Sequence, residues 1–201
     1  MSVKPHFETV KSFADVPVTD NGIETYSFLE ASDGLVEMFD LFSSGVFGFV
    51  QTDLRSNING VRGRYEARKD NSGTLEALVS SEFQEEGSSR YATACLVRLT
   101  RGLALTYKAL QHMQSDRSLS LHVCFKRSYD EVLRHHHSFV IRSVVSVAIR
   151  AVPYRRDFYE RLAQGASAEK LDEDLAKWLA GLDIIVRRIT EFLEQGGYGR
   201  V

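Results

Sequence analysis

Apolar positions in this chain recur three and four residues apart along almost its whole length, and nowhere do they alternate over a useful strand length. A short amphipathic helix is predicted through Phe7, Val10 and Phe13, ended by the Asp15-Val16-Pro17 turn. From Ile23 to Phe42 the stripe Ile23, Tyr26, Phe28, Leu29, Leu35, Val36, Phe39 and Phe42 predicts helices interrupted near Asp33-Gly34, and Ser43-Ser44-Gly45 reads as a corner. A central helix follows from about Val46 to Ala67. Its glycines, Gly48, Gly60 and Gly63, are weak points costing about 1 kcal/mol each relative to alanine, and they either admit a neighbour or loosen the helix.

After the turn Asp70-Asn71-Ser72-Gly73, Leu75, Leu78, Val79 and Phe83 form the next stripe, and Glu85 to Ser89 is a polar link. Arg90 to Gln114 keeps helical spacing through Cys95, Leu96, Leu99, Leu103, Tyr107 and Leu110. Ser115-Asp116-Arg117-Ser118 breaks it, with Ser118 as a cap for a following short segment. Phe125 to Val152 has one helical period, with Val140, Ile141, Val144, Val145, Ala148 and Ile149 as a broad buried face, until Pro153 stops it. A short helix from Tyr154 to Leu162, a turn at Gln164-Gly165 and a cap at Ser167 lead into a last helix striped from Leu171 to Leu193. The fold class is all-α.

Composition narrows the function classes. With 201 residues, 43% hydrophobic and 26% charged, the chain is expected to form a single globular domain spanning residues 1–201, with a sizeable core. The longest uncharged run, Leu41 to Thr52, is far short of the roughly 20 residues of a membrane span. MSVKPHFETVKSF lacks the apolar core of a secretory signal, so a cytosolic address is expected. A formal charge of -2 removes the global electrostatic argument for nucleic acid. Cys95 and Cys124 sit in apolar patterns and read as buried free thiols.

Within the central helix, Asp53 and Asn57 are four residues apart and share a face, about 6 Å from each other. They put a short polar ladder at the end of an apolar stripe. The surrounding order is specific: IETYSFLEA (Ile23 to Ala31), Phe39-Asp40-Leu41-Phe42, Asp53-x-x-x-Asn57-Ile58, Leu96-x-x-Leu99-x-Arg101-Gly102-Leu103, His137 followed by Ser-Phe-Val-Ile, and Ala151-Val-Pro153-Tyr154. In this order the chain resembles the glycolipid transfer protein superfamily over nearly its whole length. The resemblance implies about eight helices stacked in two layers, with an apolar lipid pocket between them. It also implies a cofactor-free carrier that moves a sphingolipid between membranes.

Residue by residue, the resemblance implies that Asp53 holds the ceramide amide N–H and that His137, seventeen positions before Tyr154, donates to the amide carbonyl. Phe139, two after that histidine, and Tyr154 are expected to dock on the bilayer, within a segment from Arg134 to Arg161 carrying six arginines and two acids. Arg98 stands where glycolipid binders carry a sugar-stacking tryptophan, as in ceramide-1-phosphate transfer proteins. A guanidinium fork matches phosphate oxygens. The head group is therefore assigned to Arg98 and Asn57, and the lean is to ceramide-1-phosphate, with glycosylceramide the alternative. Three positions depart from the branch patterns: Ala94 and Asn57 replace the second arginine and the lysine of the phosphate binders, and Gly60 the lysine of the glycolipid binders.

Other classes fit less well. A hydrolase using Asp53 and His137 lacks a nucleophile motif such as G-x-S-x-G. A lipid sensor that binds without transferring would share the same site. Read as helical, His135-His136-His137 points three rings about 100° apart and cannot converge on a metal.

Overall fold

The computed structural model describes residues 4–41 and 47–201; the expected corner at Ser43-Ser44-Gly45, with Phe42 and Val46, lies outside the described residues. The nine α-helices among them are α1 (His6–Thr9), α2 (Thr25–Asp40), α3 (Gly48–Ala67), α4 (Leu75–Gln84), α5 (Tyr91–Ser115), α6 (Leu121–Val132), α7 (Phe139–Arg150), α8 (Arg155–Ala163) and α9 (Ala168–Gln195). The strands β1 (Val18–Thr19) and β2 (Gly22–Ile23) form a minimal antiparallel hairpin in which Val18 faces Ile23 and Thr19 faces Gly22. The architecture is the expected all-α, two-layered one.

The spine is α5, which packs on α3, α6 and α9. Its start is fixed by a carboxylate from the preceding helix: buried Glu82 accepts from the Ala92 and Thr93 amides at 3.0 and 2.8 Å and from the Thr93 hydroxyl at 2.6 Å. A negative group there satisfies orphan N–H donors and complements the positive end of the helix dipole. From this start Cys95, Leu96, Leu99, Leu103 and Leu110 run buried down the helix. Glu76 ties three elements together, accepting from the Ile23 amide in β2 and from Arg188 in α9, each at 2.8 Å. Trp178 packs in the core as expected, edge-on to Phe13 with centroids 5.2 Å apart.

Four local expectations are corrected. The short first helix is expected to span Phe7 to Phe13; α1 ends at Thr9, and Phe13–Asp15 is a separate 3-10 turn. No interruption occurs at Asp33-Gly34: α2 runs through it, because Arg62 of α3 pairs with Asp33 at 2.6 Å and a missing Cβ at Gly34 admits Val10, which would lie 2.8 Å from one. Ser118 does not cap a helix; its amide and hydroxyl donate to Asp116 in a turn, and α6 begins after Ser120. The long helix from Phe125 to Val152 is two helices. Between them lie a 3-10 turn (Arg134–His136), an extended His137 (φ -104°, ψ 138°), and Ser138, whose hydroxyl caps α7 by accepting from the Ile141 amide at 3.4 Å.

The same break overturns the broad buried face expected of α7. Only Ala148 and Ile149 are buried, whereas Val140 is 70% exposed and Ile141 and Val144 are also open. Pro153 follows the end of α7 as expected, and Ser167 caps α9 by accepting from the Lys170 amide at 3.2 Å. Both cysteines are buried free thiols.

Candidate functional site

A cavity of about 830 Å3 opens between α3, α5, α6 and α7, within the range typical of small-molecule sites. Its walls are mainly apolar and include Phe39, Leu54, Leu105, Phe125, Val145 and Phe158. The helices α3 and α5 cross antiparallel, since Leu54 approaches Gly102 while Gly60 approaches Cys95. That crossing puts Asp53 and Ser56 of α3 beside Arg98 and Arg101 of α5, and all four line the cavity with His136 and His137. The site is thus an apolar chamber with a polar end.

Of the four residues expected to bind, three line this cavity: Asp53, Arg98 and His137. The Asp53 side chain is exposed and forms no hydrogen bond or ion pair among the described residues. Asn57 does not share its exposure. It is buried, its Nδ2 donates to the Asp53 carbonyl at 2.8 Å, and its Oδ1 accepts from Arg98 Nε at 3.1 Å. Asn57 therefore orients Arg98 across the helix crossing. Arg98 forms no ion pair among the described residues, and its other contact is a long one, 3.8 Å from Nη2 to Cys95 Sγ.

His137 owes its place to the break between α6 and α7, so it is not helical and the 100° argument over the three histidines loses its premise. Among the described residues no cluster of three potential metal ligands occurs. Tyr129 Oη lies 3.2 Å from His137 Nδ1. Burial, aided by the positive charges of Arg101 and Arg142, pushes the His137 pKa down; the Asp53 carboxylate opposes this. At neutral pH the ring is therefore uncharged. When the Tyr129 hydroxyl donates to Nδ1, the single ring proton sits on Nε2, free to donate to an acceptor.

Several cavity or rim residues have no forecast role in the sequence. Arg101 lies on the face of Arg98, one turn on, and donates through Nε and Nη2 to the Arg200 carbonyl, the former at 3.1 Å. Burial and then the charge of Arg98 lower its pKa. The Nε2 of His136 is buried without a partner among the described residues. Tyr91 covers Gly60. Only the spacing of Tyr91, Cys95 and Arg98 on one helical face hints at their grouping. Arg64, three turns from Asp53, is committed to Glu85 and Ser81 instead.

Comparison with known proteins agrees with this geometry. The family model "Glycolipid transfer protein (GLTP)" matches residues 23–164. A glycolipid transfer protein of Aureobasidium melanogenum is 38% identical over 188 residues, covering 93% of this chain and 92% of its own. One from Danio rerio is 28% identical, over 89% and 92% of the two chains. Among solved structures, the fungal glycolipid transfer protein HET-C2 superposes with a TM-score of 0.88 at 38% identity, covering 94% of this chain and 96% of that one. The human ceramide-1-phosphate transfer protein shares the fold alone, with a TM-score of 0.85 at 16% identity over 98% of each chain. The chain belongs to the glycolipid transfer protein family.

Proposed function

We propose that this chain extracts a sphingolipid from one membrane, shields its tails in the cavity and releases it into another. The family is one of lipid carriers rather than enzymes, which sets aside the Asp53 and His137 hydrolase. The observation that carries the reading is an apolar chamber with, at one end, a carboxylate that has no partner among the described residues and a neutral imidazole. An amide has one donor and one acceptor. Asp53 takes its N–H, and His137 Nε2–H meets its carbonyl. Each buried methylene adds about 0.8 kcal/mol, so the tails supply affinity and the polar end supplies selection.

The head group is the finer question. The similarity to glycolipid transfer proteins supports a glycosphingolipid, the alternative to ceramide-1-phosphate. The second reading, ceramide-1-phosphate, is supported by Arg98, an exposed guanidinium with no carboxylate partner among the described residues. The test is transfer of glycosylceramide and ceramide-1-phosphate between vesicles, side by side. Movement of neither sinks the carrier reading, and binding without movement turns it into a sensor.

For docking, the exposed residues of α7 and the segment after it are the candidate surface. Phe139 is 82% and Tyr154 81% exposed, with Val140 and Val147 between them and Arg142 and Arg150 alongside. Among the described residues no helix is long and apolar enough to cross a membrane. An apolar patch with interleaved arginines suits transient contact with a bilayer from a cytosolic protein. Replacing Phe139 by alanine is expected to lower vesicle partitioning and transfer by about tenfold at unchanged melting temperature, since the ring buries little in the free protein. Unchanged partitioning in a sedimentation assay removes Phe139 from the docking surface.

A further inference from the structure

Around the head-group position, cation and ring are arranged in sequence. Arg98 is held from below by Asn57, so one guanidinium edge stays open beside Asp53. Arg101 is the more committed of the two, with Nε and Nη2 both donating to the Arg200 carbonyl, whereas Arg98 Nη2 has only the long contact to the Cys95 thiol at 3.8 Å. Two turns back on the same face of α5, about 10 Å away, stands Tyr91, half exposed. Its ring edge occupies the space above Gly60: a Cβ there would lie 3.1 Å from Tyr91 Cε1 and 2.4 Å from Cys95 Sγ. The absence of a side chain at Gly60 is what lets the Tyr91 ring and the Cys95 thiol lie against α3 there.

The charge on a head group decides how it fits. A neutral sugar attached directly to the ceramide leaves Arg98 unmatched at the point where it sits closest. A phosphate monoester carries nearly two charges and has one open guanidinium to meet them, with the Asp53 carboxylate nearby. A phosphodiester carries one. It also continues to a second group, and the next feature along this face of α5 is the half-exposed Tyr91 ring beside Gly60.

Resting on the carrier reading above, we infer that the preferred head group is a ring-shaped polyol joined to ceramide through a phosphodiester, with the single charge on Arg98 and the ring over Tyr91.

The experiment compares initial transfer rates of ceramide phosphoinositol, ceramide-1-phosphate and glucosylceramide from the same phosphatidylcholine vesicles by the full chain. Ceramide phosphoinositol is expected to move about tenfold faster than either other lipid. Arg98→Ala should bring its ratio to glucosylceramide near one, and Tyr91→Ala should slow it several-fold more than it slows ceramide-1-phosphate. Both changed residues are exposed, and a thermal melt checks that each variant folds. Equal or faster transfer of either other lipid, or a ratio that survives Arg98→Ala, overturns the inference while leaving the carrier intact. If none of the three moves, the carrier reading fails with it.

Discussion

Asp53→Val is expected to reduce transfer of every sphingolipid by about two orders of magnitude, whatever its head group. Losing a charged hydrogen-bond partner from a lipid amide that is leaving water costs about 2–3 kcal/mol, and the valine leaves that N–H unsatisfied. The substitution removes the opposing influence on His137 as well, since the carboxylate is what favours its protonated form against burial and two arginines. Asp53 is exposed and unpaired among the described residues, so the fold should survive its loss. His137→Leu should weaken transfer similarly. Rates near wild type in both variants, with native circular dichroism, would dismantle the proposed amide site.

The largest effect on stability is expected at Gly181, midway along α9. A Cβ there would lie 2.2 Å from Ala14 N, 2.4 Å from Ala14 Cα and 2.5 Å from the Phe13 carbonyl carbon, all of them backbone atoms that cannot swing aside. Gly181→Ala gains about 1 kcal/mol in helix propensity, but pushing α9 off this turn costs about 3 kcal/mol or more. The net loss of about 2 kcal/mol corresponds to a melting temperature lower by about 6 °C for a chain of this size. Gly63→Ala is the control: nothing lies within 4 Å of a Cβ there, so the propensity gain stands alone and the variant should melt slightly higher. Equal shifts of the same sign in calorimetry would mean that the two glycines do not differ as described.

What was legible in the sequence follows the range of the interactions involved. The last helix was readable to its cap because Ser167 and the stripe from Leu171 to Leu193 are local signals. The same holds for α5. The break before α7 was not readable, because the apolar period continues across it; the only local sign is Ser138, one of many serines. Gly34 looked like a helix end because its partner, Val10, is distant in sequence. At the site, Asp53, Arg98 and His137 were found through motif order. Arg101 stood in the same motif without a role, and Tyr91 and Tyr129 were in none, since their relation to the site depends on how α3 crosses α5 and on where the chain leaves α6.

The exposed side of α7 has a consequence for timing. Ile141, Val145, Ala148 and Ile149 form part of the cavity wall, yet much of the helix faces water, whereas α5 is surrounded by helices. Local opening free energies follow buried contact, so α7 sits at the low end of the scale and α5 near the global limit. Opening of α7 is then expected to be cheaper than opening of α5, and it would unseal the chamber along one wall while Asp53 and Arg98, on α3 and α5, stay in place. On the proposed carrier reading, a tail would leave sideways through that wall before the amide is released.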